Sequence, residues 1–357
     1  MDKSKQLDYS GQDIYVGLDT HLKSWRVSIM VGKTVFKTFS QDPNTVLLNK
    51  YLVKNFPNAN YYSAYEASFS GFKTHRDLVA LGIKNMVVNP ADIPTTDKER
   101  KQKEDSRDSR KIAKQLSQND LTSIYIPEIE VEGDRQLIRY RKTLTKEIAR
   151  TKNRIKSQLY YFGIPIPVQF SETKYWSKRF SHWIQEVELP TKSAKLSLIG
   201  NLEMAEVLRK KQYSITKEIR KLAEKPIYKE NYELLVSIPG IANLTAMLLL
   251  TELGDINRFN NLDKICSYIG FVPMTNSSGE NEKTGNITIR RNKILRTAIV
   301  ESSWIAIRND PALMLAYQKL IKRMEPQKAI IRISKKLVNR ILYVLKNKKA
   351  YVHAVVK

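Results

Sequence analysis

Cysteine is almost absent from this chain, and so is any pattern of residues that would hold a structural zinc ion. The 357 residues include one cysteine, Cys266, and four histidines. A single cysteine excludes an internal disulfide framework and agrees with a reducing cytoplasm. The histidines are scattered, and none has the spacing to another histidine or cysteine that zinc sites use. Cys266 lies in the apolar stretch KICSYIGF, which predicts a small core residue and not a nucleophile.

The sequence also lacks a long uncharged apolar run, and it is short of acidic residues. The absence of such a run predicts no membrane partner, and the polar start MDKSKQLDYSGQD does not resemble a signal peptide. The chain has 61 Lys and Arg against 36 Asp and Glu, a net charge of +25. A surplus of this size is typical of proteins that bind polyanions, and such binding weakens steeply with salt because counterions are released.

Short apolar runs alternate with helical patterns through the first third of the chain. They predict three strands, a helix, a strand, a helix, a strand and a further helix, which is typical of a mixed α/β sheet covered by helices. The predicted strands are 14–21, 25–31, 33–40, 61–67 and 84–90, the predicted helices before residue 100 are 43–56 and 71–83, and a hairpin turn is expected at Gly32-Lys33. We assign 14–125 to this domain and 1–13 to an N-terminal arm.

The remainder of the chain is predicted to be almost entirely helical. Apolar residues between 134 and 163 have the spacing of a long amphipathic helix with a basic outer face. A second helical stretch, about 193–224, is expected to pair with it as an antiparallel hairpin. We assign 130–227 to this helical middle part, and two functions for it stay open: a coiled-coil dimer arm, or a surface that binds nucleic acid along its basic face.

The last part, 228–357, contains two features that could carry function. LLVSIPGIANLTAMLLL predicts a helix, a Pro-Gly turn and an apolar helix, similar to a helix-hairpin-helix, whose turn amides can hold a phosphate. A simple packing turn explains the pattern as well. The stretch MTNSSGENEKTGN is predicted to be a polar loop between helices, and such loops tend to be functional or disordered.

Four acidic residues stand where the predicted elements could bring them together. Asp19 and Glu66 end apolar strands, where an unpaired charge is costly. Asp105 and Asp108 are three residues apart on a predicted helix, so they share one face. Two-metal phosphoryl transfer needs such a set of oxygen ligands for Mg²⁺ or Mn²⁺. The nearby acids that compete for the helical positions are Asp97, Glu99 and Glu104.

At this point the sequence resembles a known family. YVGLDTH, YEAS, VVNPADI and KEDSRDSRKIAKQL are similar to the RuvC-like (RNase H fold) domain of DEDD-type transposases of the one-ten family of bacterial insertion sequences, which includes the Piv invertases. The basic helix is similar to the family's coiled coil, and the last part to its second transposase domain. The resemblance covers nearly the whole chain and implies that Asp19, Glu66, Asp105 and Asp108 are its metal ligands, with Mg²⁺ or Mn²⁺ bound.

The resemblance further implies a serine nucleophile in the C-terminal domain that attacks a DNA phosphate and forms a covalent intermediate. The matching positions are Ser277 and Ser278, of which Ser277 is favoured. The two halves of the site could come from different subunits. The loop SSGEN lacks a second glycine that many relatives have. Without a catalytic role, the sequence NSSG would be explained as a simple turn. The expected nucleic-acid contacts are Lys283, Arg290, Arg291, Lys293, Arg139, Lys142, Lys152 and Arg154.

These implications together predict the protein's activity and partners. We expect a transposase in the bacterial cytoplasm that cleaves and exchanges donor and target DNA, guided by a structured RNA from the element, as a dimer or tetramer. The first alternative is a RuvC-like, metal-dependent nuclease that selects DNA structure and forms no covalent intermediate. The second is a nucleic-acid-binding protein without catalysis, for which Asp19→Ala would leave function intact.

Overall fold

A computed structural model describes residues 8–93, 105–171, 176–278 and 281–353. Within these ranges it describes only the backbone of residues 105–106, 171, 275–278 and 281–284. The expected ligand competitors Asp97, Glu99 and Glu104, and most of the expected N-terminal arm, lie outside the described residues. Two compact units divide the chain, 1–126 and 127–357.

The first unit contains one five-stranded mixed sheet with the strand order β3-β2-β1-β4-β5. Its elements are β1 (Asp13–Thr20), β2 (Trp25–Val31), β3 (Thr34–Gln41), α1 (Thr45–Asn55), β4 (Asn60–Glu66), α2 (Lys73–Ala80), β5 (Lys84–Val88) and α3 (Asp105–Ser117). β1, β2 and β3 are antiparallel, whereas β1, β4 and β5 run parallel. The mixed α/β prediction is confirmed, and so is the hairpin turn at Gly32-Lys33, where Val31 pairs with Thr34.

The two faces of this sheet have separate apolar cores because side chains alternate along each strand. Ile14, Val16 and Leu18 of β1 are fully buried on one face, in a cluster with residues of α1 and α2 such as Leu48 and Leu78. On the other face, a second cluster joins Ala64 of β4 to Ile112 and Leu116 of α3. Helix α3 therefore lies on the face opposite α1 and α2.

The second unit is mostly helical. Its helices are α4 (Ile129–Tyr161), α5 (Val168–Ser171), α6 (Lys178–Glu186), α7 (Lys192–Leu222), α8 (Pro226–Val236), α9 (Asn243–Leu253), α10 (Leu262–Ile269), α11 (Lys293–Asn309), α12 (Pro311–Ile321) and α13 (Pro326–Asn347), with strands β6 (Pro273–Ser278) and β7 (Asn281–Ile287). The predicted all-α character of this part is confirmed apart from these two strands.

Helices α4 and α7 form the antiparallel hairpin that the sequence predicts. Near the end of α4, the amide of Gln158 donates to the carbonyl oxygen of Ala194, at the start of α7. Near the start of α4, Arg141 donates to the hydroxyl of Thr216, at the end of α7. The base of the hairpin contributes to the core of α8–α13, with Val131, Ile138, Leu144, Ile215 and Ile219 in one cluster with that core. The division of this unit at 227/228 stays a prediction.

The Pro-Gly turn between α8 and α9 packs tightly against α11. Gly240 has φ +90°, and a Cβ there would lie 2.4 Å from the carbonyl oxygen of Ser302 and 2.9 Å from the amide nitrogen of Ala306. Any side chain would force these elements apart, so the turn has a packing role. Phosphate binding by its amides stays a prediction. Cys266, at 1% exposure, lies in the core as predicted.

The prediction of a polar loop at 274–286 is wrong, because β6 and β7 pair there as an antiparallel ribbon. Ser277 is opposite Glu282 and Ser278 is opposite Asn281. The ladder uses main-chain hydrogen bonds, which polar residues make as readily as apolar ones. A polar ribbon therefore lacks the apolar alternation from which a strand is recognised in a sequence.

Candidate active site

Asp19 and Glu66 stand at the same edge of the five-stranded sheet. β1 and β4 are parallel neighbours, with Leu18 opposite Tyr65, and the next residue of each strand is the acid. Residues in register on parallel strands point to the same face. Gly17 pairs with Ala64, which is on the α3 face. Two residues further on, Asp19 and Glu66 are therefore on that same face.

Helix α3 is in direct contact with the sheet at Gly17. A Cβ on this glycine would lie 2.0 Å from the carbonyl oxygen of Ser109 and 2.5 Å from the amide nitrogen of Ala113. The hydroxyl of Ser109 is 2.8 Å from that of Ser28. Ser28 is on β2, directly opposite Gly17 of β1. The absence of a side chain at Gly17 is therefore what lets α3 cross the sheet at this level.

The first turn of α3 lies toward the acidic edge of the sheet. Ser109 is level with Gly17, whereas Leu116 clusters with Tyr15 and Tyr62, nearer the starts of β1 and β4. The helix therefore runs opposite to β1. Asp105 precedes Ser109 by four residues, about 6 Å along the helix. Asp19 follows Gly17 by two residues, about 6.6 Å along the strand. The turn that contains Asp105 and the half-buried Asp108 thus starts at the level of Asp19.

Two groups of polar residues surround this edge that the sequence did not single out. The Nε2 of His21 lies 3.0 Å from Oδ2 of Asp19. The hydroxyl of Thr20 is 3.5 Å from that of Ser68 and 3.4 Å from that of Ser70, in the loop after Glu66. These contacts tie the ends of β1 and β4 together. The i, i+2 spacing of Asp19 and His21 in DTH was the signal that could have indicated a shared face.

The donor set at this edge fits a hard divalent cation in its chemistry. Asp19 and Glu66 offer carboxylate oxygens at neighbouring strand ends, and Asp108 offers a third on the first turn of α3. Mg²⁺ and Mn²⁺ prefer such ligands. The described side chains include no group of three or more metal-binding residues already close enough to hold an ion, and the side chain of Asp105 is not among them.

The predicted nucleophiles Ser277 and Ser278 are adjacent on β6, in the second unit. Their side chains, and that of Lys283 on β7, lie outside the described ones. The base of the ribbon is fixed by hydrogen bonds from the amide of Thr288 to the carbonyl oxygen of Val272 and from Arg296 to that of Thr288. The predicted contacts Arg290 and Arg291 are exposed between this ribbon and α11, and Lys293, the first residue of α11, is exposed as well.

Arg139, predicted to contact nucleic acid, forms an internal ion pair in the second unit. Its Nε and Nη2 donate to the two carboxylate oxygens of Glu252 at 2.6 and 2.8 Å. Asn292, the N-cap of α11, donates to the same carboxylate at 3.0 Å. Burial alone would raise the pKa of Glu252, but the hydrogen bonds from Arg139 and Asn292 hold it below its usual value. This guanidinium is engaged, and its phosphate contact stays a prediction.

The other three basic residues predicted on α4 have different surroundings. Lys142 and Lys152 are half-buried, which lowers the pKa of each, and the ammonium of Lys152 lies 5.3 Å from the ring centre of Trp176. Arg154 is exposed in a groove between α4 and α7.

Among the described residues, no helix is long and apolar enough to cross a membrane.

Comparisons with known proteins find two family models and several relatives. A DEDD transposase model of the IS110 type matches residues 16–162, which include all four acids, and the model "Transposase IS116/IS110/IS902 family" matches residues 232–318, which include both serines. The chain is 26% identical over 243 residues to a putative transposase of Sinorhizobium fredii, a match that covers 68% of this chain and 58% of that protein. It is 26% identical over 253 residues to the transposase for insertion sequence element IS1533 of Leptospira borgpetersenii, covering 70% and 72%.

A third relative matches a larger share of the chain. The transposase for insertion sequence element IS1111A of Coxiella burnetii is 24% identical over 281 residues, which cover 77% of this chain and 72% of that protein. The two family models match the acid-bearing and the serine-bearing parts in the expected order. The chain therefore belongs to the IS110/IS116/IS902 family of insertion-sequence transposases.

Proposed function

We propose that this transposase cleaves and exchanges DNA strands with a serine nucleophile assisted by a divalent-metal site. The observation that carries the proposal is the common level of Asp19, Glu66 and the first turn of α3 at one sheet edge. The sheet order, with an antiparallel β1–β3 meander and parallel β4 and β5, supports an RNase H fold of the RuvC type for the first unit.

In this proposal the acids at the sheet edge hold Mg²⁺ or Mn²⁺. The residues are Asp19, Glu66, Asp105 and Asp108. The cation supplies charge stabilisation where negative charge develops on the phosphate. Asp19 and Glu66 are positioned by paired strands, and the turn of α3 is positioned by the contact at Gly17.

In the serine step, a DNA phosphoryl group is transferred from a deoxyribose oxygen to a serine of the protein. The Oγ of Ser277 attacks a DNA phosphorus and loses its proton, a serine–phosphate ester forms, and the bond from phosphorus to the leaving deoxyribose oxygen breaks. That oxygen takes up a proton. Ser278 is the alternative nucleophile. A serine is a weak nucleophile without activation, so the proposal requires a group that activates its hydroxyl.

The partners in this proposal are donor DNA, target DNA and a structured guide RNA from the element. Base pairing by the RNA would supply sequence recognition, while the protein reads backbone and shape. The net charge of +25 supports binding to such polyanions. Strand exchange between two duplexes calls for a dimer or tetramer.

A covalent-trapping assay tests the proposal directly. Protein, Mg²⁺, donor DNA and RNA from the element's non-coding end are incubated, denatured and separated on a gel. We expect a protein–DNA adduct in the wild type, its loss in Ser277→Ala or Ser278→Ala, and its loss in Asp108→Asn. Cleavage without an adduct, unchanged by either serine substitution, would instead establish the metal-dependent nuclease.

A further inference from the structure

The α4–α7 hairpin has a groove of about 740 Å³ along one side whose described lining contains no carboxylate. Three cations line it, Lys146, Arg150 and Arg154, and all three are exposed. The amide side chains of Asn153 on α4 and Asn201 on α7 lie in the same groove. In a chain with 36 acidic residues, a groove whose charged lining residues are all cations favours an anionic ligand.

The spacing of the cations shows what shape of anion the groove would fit. Lys146, Arg150 and Arg154 are each four residues apart, so they form a row along one helix face. Each step is slightly more than one helical turn, about 6 Å along the axis. A row of regularly spaced charges matches a polymer with repeated anionic groups better than a single small anion. The neutral amides can donate further hydrogen bonds to phosphate oxygens.

The row is only lightly neutralised by the protein itself. Glu147 lies 2.6 Å from one terminal nitrogen of Arg150, on the helix surface. A guanidinium has five N–H donors, so this contact leaves donors for a second acceptor. The neighbouring groove between α6 and α7 differs, because Glu206 lies among its cations. The two sides of α7 are therefore not equivalent, and the row on α4 is the stronger anion site.

We propose that this groove, lined by Lys146, Arg150 and Arg154, binds the phosphate backbone of a nucleic acid. The proposal takes its ligand class from the proposed function but does not depend on the serine chemistry. It also decides between the two roles left open for the basic face of the hairpin. A second copy that docked its own α4 row here would bring like charges together, which opposes a dimer through this face.

The test compares two triple substitutions of equal charge on the same hairpin. The groove variant combines Lys146→Gln, Arg150→Gln and Arg154→Gln. The control variant combines Lys192→Gln, Lys211→Gln and Lys217→Gln, three exposed residues of α7 outside the groove. Fluorescence anisotropy measures the Kd of each full-length protein for a DNA duplex, single-stranded DNA and a hairpin RNA between about 50 and 200 mM salt.

We expect the groove variant to lose salt dependence as well as affinity. The slope of log K against log salt should fall by about 2 to 3, since each lost phosphate contact contributes about 0.7 to 0.9. The control slope should fall by less than about 1. The polymer with the largest change identifies whether DNA or RNA occupies the groove. The single variant Arg154→Gln should reduce the slope by about 0.7 to 0.9. It keeps the test valid even if the triple variant does not fold.

Two results would overturn the proposal. Equal changes in both triple variants would mean that only overall charge matters. Unchanged binding by the groove variant, with a changed subunit number by mass photometry, would identify the groove as a protein interface. The trapping assay separates this proposal from the proposed function: a wild type without a serine adduct refutes the nucleophile, while a selective slope change still establishes the groove.

Discussion

Asp19 and Glu252 are both carboxylates beside a nitrogen-bearing side chain, yet their surroundings differ completely. The side chain of Asp19 is 21% exposed and contacts the half-exposed His21. The side chain of Glu252 is 1% exposed, and both its oxygens accept hydrogen bonds from Arg139 and Asn292. Asp310 resembles Glu252, being buried against Arg340 and Tyr351.

The difference indicates which acids can take an external ligand. A buried carboxylate whose oxygens are held by the protein would have to break an ion pair before it could bind a cation, and that is costly. The side chain of Asp19 is the more exposed of the two, so a cation from solvent can reach it more readily. We therefore expect substitutions at the sheet edge to remove activity, and substitutions at the buried acids to remove stability.

The largest effect is expected at the sheet edge. Asp19→Asn and Glu66→Gln should each lower DNA cleavage by more than about a thousandfold, because a metal ligand contributes several kcal/mol to the barrier. The urea midpoint should change little. Glu203→Gln, at an exposed position on α7, is the matched control and should leave DNA cleavage unchanged. Full activity in Asp19→Asn would place the metal site elsewhere.

The buried ion pair should show the opposite pattern. Glu252→Ala leaves Arg139 without its partner and should lower the free energy of unfolding by about 3 kcal/mol. Urea denaturation followed by circular dichroism measures this loss. A loss below about 1 kcal/mol, the value for an exposed pair, would remove the contrast with the sheet edge.

A substitution at Gly17 should affect both activity and stability, because the packing of α3 against Gly17 positions the first turn of α3, which contains Asp105 and Asp108. Gly17→Ala should cost about 1 to 3 kcal/mol of stability, as overpacking does, and should also reduce cleavage. The control is Gly200→Ala on α7, where a Cβ meets nothing within 4 Å. It should stabilise the protein by about 0.5 to 1 kcal/mol. Equal urea midpoints for the two variants would contradict the contact between α3 and β1.

Acid should weaken the buried pairs. Burial would raise the pKa of Asp310, but hydrogen bonds from Tyr351, the Leu313 amide and Arg340 lower it, as similar bonds do for Glu252. Stability from a depressed pKa is fully present above the unfolded pKa and is lost as pH falls through the folded pKa. Below about pH 4.5, the urea midpoint of the wild type should therefore fall more steeply than that of Glu252→Gln/Asp310→Asn. Parallel profiles would refute this assignment.

The smallest effect concerns the single thiol. Burial raises the pKa of Cys266 to about 11, so native protein should react with a thiol reagent far more slowly than urea-unfolded protein. Absorbance of the released chromophore gives both rates. Fast labelling of the native state would show that the core around α10 opens readily.

Much of the first unit could be predicted from the sequence, because its strands carry local signals. Alternation in β1 and β4, and the acids that end them, indicated the sheet edge before any contact was known. The contacts at Gly17 could not be predicted, since a pattern shows which face is buried but not its partner. The same holds for Arg139. Its positive charge suggested a phosphate contact, and its ion-pair partner Glu252 could not be predicted because it is 113 residues away in the sequence.

The shared core of the second unit has a consequence for how this part of the protein is inherited. The matched transposase region begins at residue 232, but its core includes Val131, Ile138 and Leu144 of α4 and Ile215 and Ile219 of α7. A fragment cut at that boundary would expose apolar surface that these residues cover. The folding unit that contains the serines is thus discontinuous in sequence. A chimaera of two relatives should fold only if this region and the base of the α4–α7 hairpin come from the same parent.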